Sequence, residues 1–179
     1  MKRNKQKVRV IMKRNFNLLL VITMLSAMLV FLSACGTGSK DSAVDSFLNR
    51  IKTVSQENPE LSGYSISGLT EEGSGTYSAN AIIDGETIGA ISISVYNKQI
   101  TELSFSFFGD VAIGKNMQAV IASAMAIDST LDYSTAKEIV SDTVSAIFFR
   151  LGQVENNGYA YSGQYEDNLL FIKISKMMD

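Results

Sequence analysis

Few residues in this 179-residue chain could do chemistry. Ser134-Thr135-Ala136-Lys137 sets a hydroxyl and an amine at Ser-x-x-Lys spacing, where an amine one helical turn away can activate a serine for acyl transfer. No Lys-Thr-Gly follows it, and Thr135-x-x-Glu138 is also a capping box, so helix capping is the stronger reading. Glu71-Glu72 and Glu166-Asp167 are the densest carboxylate pairs. Carboxylates that cleave a glycosidic bond face each other across the substrate, which neighbours in one turn do not. Neither pair has the spaced ligands of a calcium loop, so both read as solvated turns. The chain has no His and one Cys, Cys35, which excludes Ser-His-Asp catalysis, Cys-His catalysis and His/Cys metal sites built from these residues alone. No catalytic set, metal site or cofactor is expected.

Two alternating patterns could instead build a surface. Ser92, Ser94 and Tyr96, then Ser104, Ser106 and Phe108, alternate with Ile91, Ile93, Val95, Leu103, Phe105 and Phe107. One face of these two strands is apolar and the other mostly hydroxyl-bearing, as in a sheet covered by helices on one side only. The hydroxyl face is a candidate binding surface. Tyr159, Tyr161 and Tyr165 share one face of another strand, with Gly163 leaving a gap in the row. Such a row is a recognition surface if it points outward, because tyrosine brings large area and a hydroxyl at low entropic cost; the alternative is packing under a helix.

The elements that must position these residues follow from periodicity. From Ala43 to about Ser55, Val44, Phe47, Leu48, Ile51 and Val54 recur at three and four, which predicts a helix capped by Asp41 or Ser42 and stopped at Asn58-Pro59. Four antiparallel strands follow: Tyr64/Ile66, Tyr77/Ala79/Ala81/Ile83, Ile91/Ile93/Val95 and Leu103/Phe105/Phe107. Turns fall at residues 71–75, at Asp84-Gly85, at Asn97-Lys98 and at Gly109-Asp110. Met117, Val120, Ile121 and Ala124 predict a second helix. Ile139, Val140, Val144, Ile147, Phe148 and Leu151 predict a third, stopped by Gly152. Tyr159 to Tyr165 and Leu169 to Ser175 form a closing hairpin. The expected fold is α+β: an antiparallel sheet of about six strands with helices on one face.

Charge is segregated along the chain. Seven of its sixteen basic residues lie in the first fourteen positions and no acid precedes Asp41, so the remainder carries nine bases against eighteen acids. Nucleic acid and anionic headgroups are poor partners for so acidic a domain. After Arg14 the chain is uncharged through Ala34, with a strongly apolar centre from Leu18 to Leu32. A basic stretch, an apolar run and a small-residue end make an export signal; Met12-Lys13-Arg14-Asn15 and the apolar run already make a complete one, so translation could begin at Met1 or at Met12. Leu32-Ser33-Ala34-Cys35 resembles the lipobox of bacterial lipoproteins. That resemblance implies cleavage before Cys35, a diacylglycerol on its thiol and attachment to the outer side of the cell membrane.

The expected organisation is a signal peptide over 1–34, a flexible tether over 35–42 and a single domain over 43–179. The expected function is a non-enzymatic binding module, held in the membrane by a lipid on Cys35, for a protein or cell-envelope ligand. The alternatives are a small-ligand-binding lipoprotein and, behind it, a Ser-Lys or carboxylate-dependent hydrolase.

Overall fold

A computed structural model describes residues 41–108 and 113–177. Cys35, the segment before it, the tether and the Gly109-Asp110 turn lie outside the described residues. Among those described, three α-helices, one short 3₁₀ turn (Pro59–Leu61) after the first, and seven strands run in the order α1 (Ser42–Glu57), β1 (Tyr64–Gly73), β2 (Thr76–Ile83), β3 (Glu86–Tyr96), β4 (Gln99–Phe108), α2 (Ile113–Ile127), α3 (Tyr133–Phe149), β5 (Val154–Asn156), β6 (Tyr159–Glu166) and β7 (Leu169–Lys176).

The strands make one antiparallel sheet ordered β1-β2-β3-β4-β7-β6-β5, an α+β fold. The first four strands form a meander because each hairpin closes in two residues. Ser74-Gly75, Asp84-Gly85 and Asn97-Lys98 all have positive φ at both positions, the pattern that matches the right-handed twist of the flanking strands. The chain then leaves the sheet for α2 and α3, and returns so that β7 pairs with β4.

Helix α1 buries Val44, Phe47, Ile51 and Val54 of its predicted stripe, and the fifth member, Leu48, is half-buried. Of the two candidate caps, Asp41 takes the role, its carboxylate accepting the Ala43 N–H at 2.9 Å. Helix α2 departs from its predicted stripe, because every residue from Ala119 to Ala126 is buried. It packs against α1 and α3 and against the sheet, and a helix enclosed on all sides must be apolar all round. Ala119, Ala122, Ala124 and Ala126 permit that close approach. The one hydroxyl in this stretch, Ser123, meets the buried Tyr64 hydroxyl at 3.2 Å.

Helix α3 begins differently from its predicted capping box. Asp132 caps it by accepting the Thr135 N–H at 2.8 Å, so Thr135 donates to a cap and does not provide one. The helix ends at Arg150 in the left-handed region, with the Leu151 N–H reaching back to the Ala146 carbonyl at 2.9 Å, two residues before the expected stop at Gly152. Phe148 and Leu151, assigned to the buried stripe, are exposed, Leu151 at 75%. The sheet has seven strands where about six were expected. The extra one, β5, is only three residues long, and its sequence signal is the Asn157-Gly158 turn that joins it to β6.

Candidate functional site

The pleat of β3 and β4 sends Ile91, Ile93, Leu103, Phe105 and Phe107 into the core, all at 1% exposure or less. Ser92, Ser94, Ser104 and Ser106 therefore share the opposite face, and no described helix packs there. Cross-strand register extends the hydroxyl face on both sides. One row runs Ser78, Ser92, Ser104, Lys173, Ser162 across β2, β3, β4, β7 and β6. A second runs Thr76, Ser94, Glu102, Ser175, Ala160, and a third Asn80, Ala90, Ser106, Phe171, Gln164. Strands lie about 4.8 Å apart and same-face residues about 6.7 Å apart along a strand, so these rows form a near-regular lattice, in which nine of the fifteen side chains are short and polar and Ala90, Ala160 and Phe171 are apolar.

One ion pair marks the centre. Lys173 Nζ lies 3.1 Å from Glu102 Oε2, and the Ser104 hydroxyl donates to Glu102 Oε1 at 3.0 Å. Beside it, Ser104, Ser162, Gln164, Phe171 and Lys173 line a shallow depression of about 320 Å³. Lys173 and Ser104 thus both bond to the one carboxylate of Glu102. Tyr96 borders the face at the β3–β4 turn and is 64% exposed. Phe108 closes β4 opposite Leu169 in register, and its side chain lies outside what is described.

The tyrosine row is corrected. Tyr159, Tyr161 and Tyr165 sit on the helix side of the sheet, the second of the two alternatives, because Tyr161 pairs in register with Ile174, which is buried in the core. Tyr161 is 1% exposed and belongs to no outward surface. Tyr159 is half-buried. Tyr165 is exposed and leans on Phe148, with ring centroids 5.7 Å apart. Burial raises the Tyr161 hydroxyl above its ordinary pKa, as do the Asp128 charge and Tyr159. That hydroxyl has no hydrogen-bond partner. Tyr161→Phe is therefore expected to leave stability unchanged or raise it by about 1 kcal/mol, since it removes an unsatisfied buried group. Tyr64→Phe, which breaks the bond to Ser123, should cost about 1 kcal/mol in the same urea titration.

The other chemistry-bearing residues are not brought together. Ser134 is exposed, and Lys137 Nζ sits 5.8 Å from the Tyr133 ring centroid; no hydrogen bond joins Ser134 to Lys137 among the described residues. Glu71, Glu72, Glu166 and Asp167 are exposed, and Glu72 accepts from Ser78. Among the described residues no three His, Cys, Asp or Glu side chains converge on a metal position.

A polar cluster the sequence did not signal lies where α2 ends. Buried Asp128 accepts the Thr130 N–H at 2.9 Å and the Thr130 hydroxyl at 2.7 Å, while Asn157 Nδ2 reaches its other oxygen at 3.1 Å. Arg50 donates to the Ala126 and Met125 carbonyls, both at 3.0 Å, closing the end of the same helix. Burial would raise the Asp128 pKa, but the two Thr130 donors, Asn157 and the Arg50 charge outweigh it and hold the carboxyl below its usual value. A lowered carboxylate contributes stability above the ordinary pKa and loses it as pH falls through the folded one. Asp128→Asn is therefore expected to be less stable than the parent at neutral pH. The difference should shrink below about pH 4, as read in urea titrations across that range.

The chain matches no protein-family model, no curated protein and no solved structure.

Proposed function

We propose that this protein is a lipoprotein anchored through Cys35 on the extracytoplasmic face of the cell membrane, and that its domain binds a protein or cell-envelope ligand on the hydroxyl face of the sheet. The observation that carries this reading is the face itself. Five strands contribute polar rows around the Lys173–Glu102 pair, and no described element covers them. A solvated sheet face requires polar side chains only, whereas this one is dominated by short ones. Short hydroxyls hold little side-chain entropy for a partner to freeze, and leave the sheet flat enough for broad contact.

The anchor rests on the N-terminal basic and apolar segments and on Leu32-Ser33-Ala34-Cys35. Two acyl chains give stable attachment at about 0.8 kcal/mol per buried CH₂, where one would be marginal. The excess of acid in residues 35–179 favours a ligand with basic or hydroxyl groups over nucleic acid or anionic lipid.

Both parts have direct tests. The intact mass of the membrane-extracted protein should show a chain beginning at Cys35 with added acyl mass, and Cys35→Ser should leave the basic segment attached. A species carrying the basic segment and no acyl mass refutes the anchor. For the surface, Ser94→Arg with Ser104→Arg should shift stability by less than about 0.5 kcal/mol while releasing a partner that the parent retains on purification from its own membrane. A double variant that keeps the partner, or that unfolds, refutes the binding face.

A further inference from the structure

β5 covers only the first part of β6. It pairs with Tyr159, Ala160 and Tyr161, so the outer side of residues 162–166 has no described strand beside it. A free edge is a template for another strand unless a bulge or a proline blunts it. Neither is present here: β6 keeps one unbroken register against β7 from Tyr159 to Glu166.

That register fixes where the backbone groups point. The Met177 N–H donates to the Gly158 carbonyl at 2.7 Å, immediately outside the Tyr159–Lys176 pair, which makes Tyr159–Lys176 a non-hydrogen-bonded pair. By alternation Tyr161, Gly163 and Tyr165 also stand in such pairs and turn their N–H and C=O groups away from β7. Asn156 and Val154 of β5 lie opposite Tyr159 and Tyr161. No described strand lies opposite Gly163 or Tyr165, and both residues are exposed.

Beside these two residues a groove of about 420 Å³ runs between β6 and the end of α3, with Ile147, Arg150, Gly152 and Glu166 in its walls. Six large apolar side chains are exposed among the described residues, and four of them, Phe148, Phe149, Leu151 and Tyr165, gather at this end of α3. Such a concentration marks an interaction site. Glu166 and Asp167 lie at the end of the open stretch against Arg150 alone, since the nearby Lys173 is held by Glu102.

We infer that this edge docks an extended segment of a partner protein, apolar at alternate positions with basic residues between them, which adds as a strand to Gly163 and Tyr165 where β5 stops. Two N–H and two C=O groups at strand spacing are complementary to such a segment. Its apolar side chains turn toward α3, Phe148 and Tyr165, while its basic ones lie on the face of Glu166, in keeping with the excess of acid in residues 35–179. A second copy is the poorer occupant. The antiparallel register that joins Gly163 of each copy to Tyr165 of the other sets Asp167 of one opposite Tyr161 of the other, the place that Val154 already holds. The site is separate from the hydroxyl face and from the anchor.

The test is selection of phage-displayed random octapeptides on the full chain in phosphatidylcholine nanodiscs, with counter-selection on empty discs, followed by titration with the selected peptides made synthetically. Expected are peptides with alternating apolar residues and more bases than acids. Saturation with them should slow hydrogen exchange at the Gly163 and Tyr165 amides by about tenfold or more, leaving Ser162 and Gln164, which bond to β7, unchanged. Tyr165→Pro and Tyr165→Thr both lose the ring, but only proline loses the outward N–H, so it should bind about tenfold more weakly than threonine. Glu166→Gln with Asp167→Asn should weaken the basic peptides several-fold, and Ser94→Arg, three strands away, should leave them unaffected. If Tyr165→Pro fails to fold, exchange in the parent chain decides alone. The inference is overturned if no peptide is selected, if acidic peptides prevail, or if bound peptides leave Gly163 and Tyr165 exchange unaltered. It is also overturned if proline binds as well as threonine, if the neutralised variant binds as well as the parent, if Ser94→Arg abolishes binding, or if the chain alone dimerises through this edge.

Discussion

Phe105→Ala is expected to remove about 3–5 kcal/mol of folding stability, at the upper end for a buried aromatic. Phe105 lies on β4, the central strand of seven, with Ile91 of β3 on one side and Ile172 of β7 on the other. It is 1% exposed and stacks on Phe107, ring centroids 5.5 Å apart and planes 12° from parallel. The size of a large-to-small penalty depends on how far the surroundings can collapse into the void. Here the neighbours on both sides are held by ladders of hydrogen bonds, so collapse is resisted. A domain has about 5–15 kcal/mol in total, so the loss is a large share of it. Urea titration should show a lower midpoint with an unchanged slope, and a loss under about 1.5 kcal/mol would contradict the packing described.

The second large effect is expected at Gly163, on β6 beneath α3. A Cβ there would meet the Phe171 carbonyl oxygen, and would lie 2.7 Å from Ile147 Cδ1 and 3.2 Å from Ile172 Cα. The carbonyl and the Cα belong to the neighbouring strand and cannot move without breaking register. The Ile147 methyl belongs to a side chain and can. Gly163→Ala should therefore cost about 1–3 kcal/mol, and Gly163→Val more. Adding Ile147→Val to Gly163→Ala should recover only part of that loss, because the backbone contacts remain. Full recovery in the double-mutant cycle would show that the helix contact alone sets the penalty.

Gly163 also shows where sequence reading stops. Its absence of a side chain is visible in the chain and suggests a gap in the tyrosine row. What fills the gap is the Phe171 carbonyl of the neighbouring strand together with the Ile147 methyl of α3, sixteen positions earlier, and no local pattern announces either. The same holds for the ion pair at the centre of the hydroxyl face. Ser92, Ser94, Ser104 and Ser106 are readable from alternation on two adjacent strands joined by a tight turn. Lys173 and Ser162 are not, because they reach the face only when β7 pairs with β4 across the intervening helices.

The elements whose signal is local were legible in the chain: the α1 stripe with a cap at Asp41 or Ser42, the hairpins at Asp84-Gly85 and Asn97-Lys98, and the two-faced character of β3 and β4. These rest on side-chain periodicity and on positive-φ turns, both of which act within a few residues. Which face each element turns inward, where the local pattern allowed either, was set by packing between elements. Tyr161 went into the core, Phe148 and Leu151 stayed at the surface, and α2 was enclosed on all sides. The physical reason is that burial is a property of neighbours. A tyrosine row is equally compatible with a wet face or a dry one until the position of α3 over β6 excludes water from one of them.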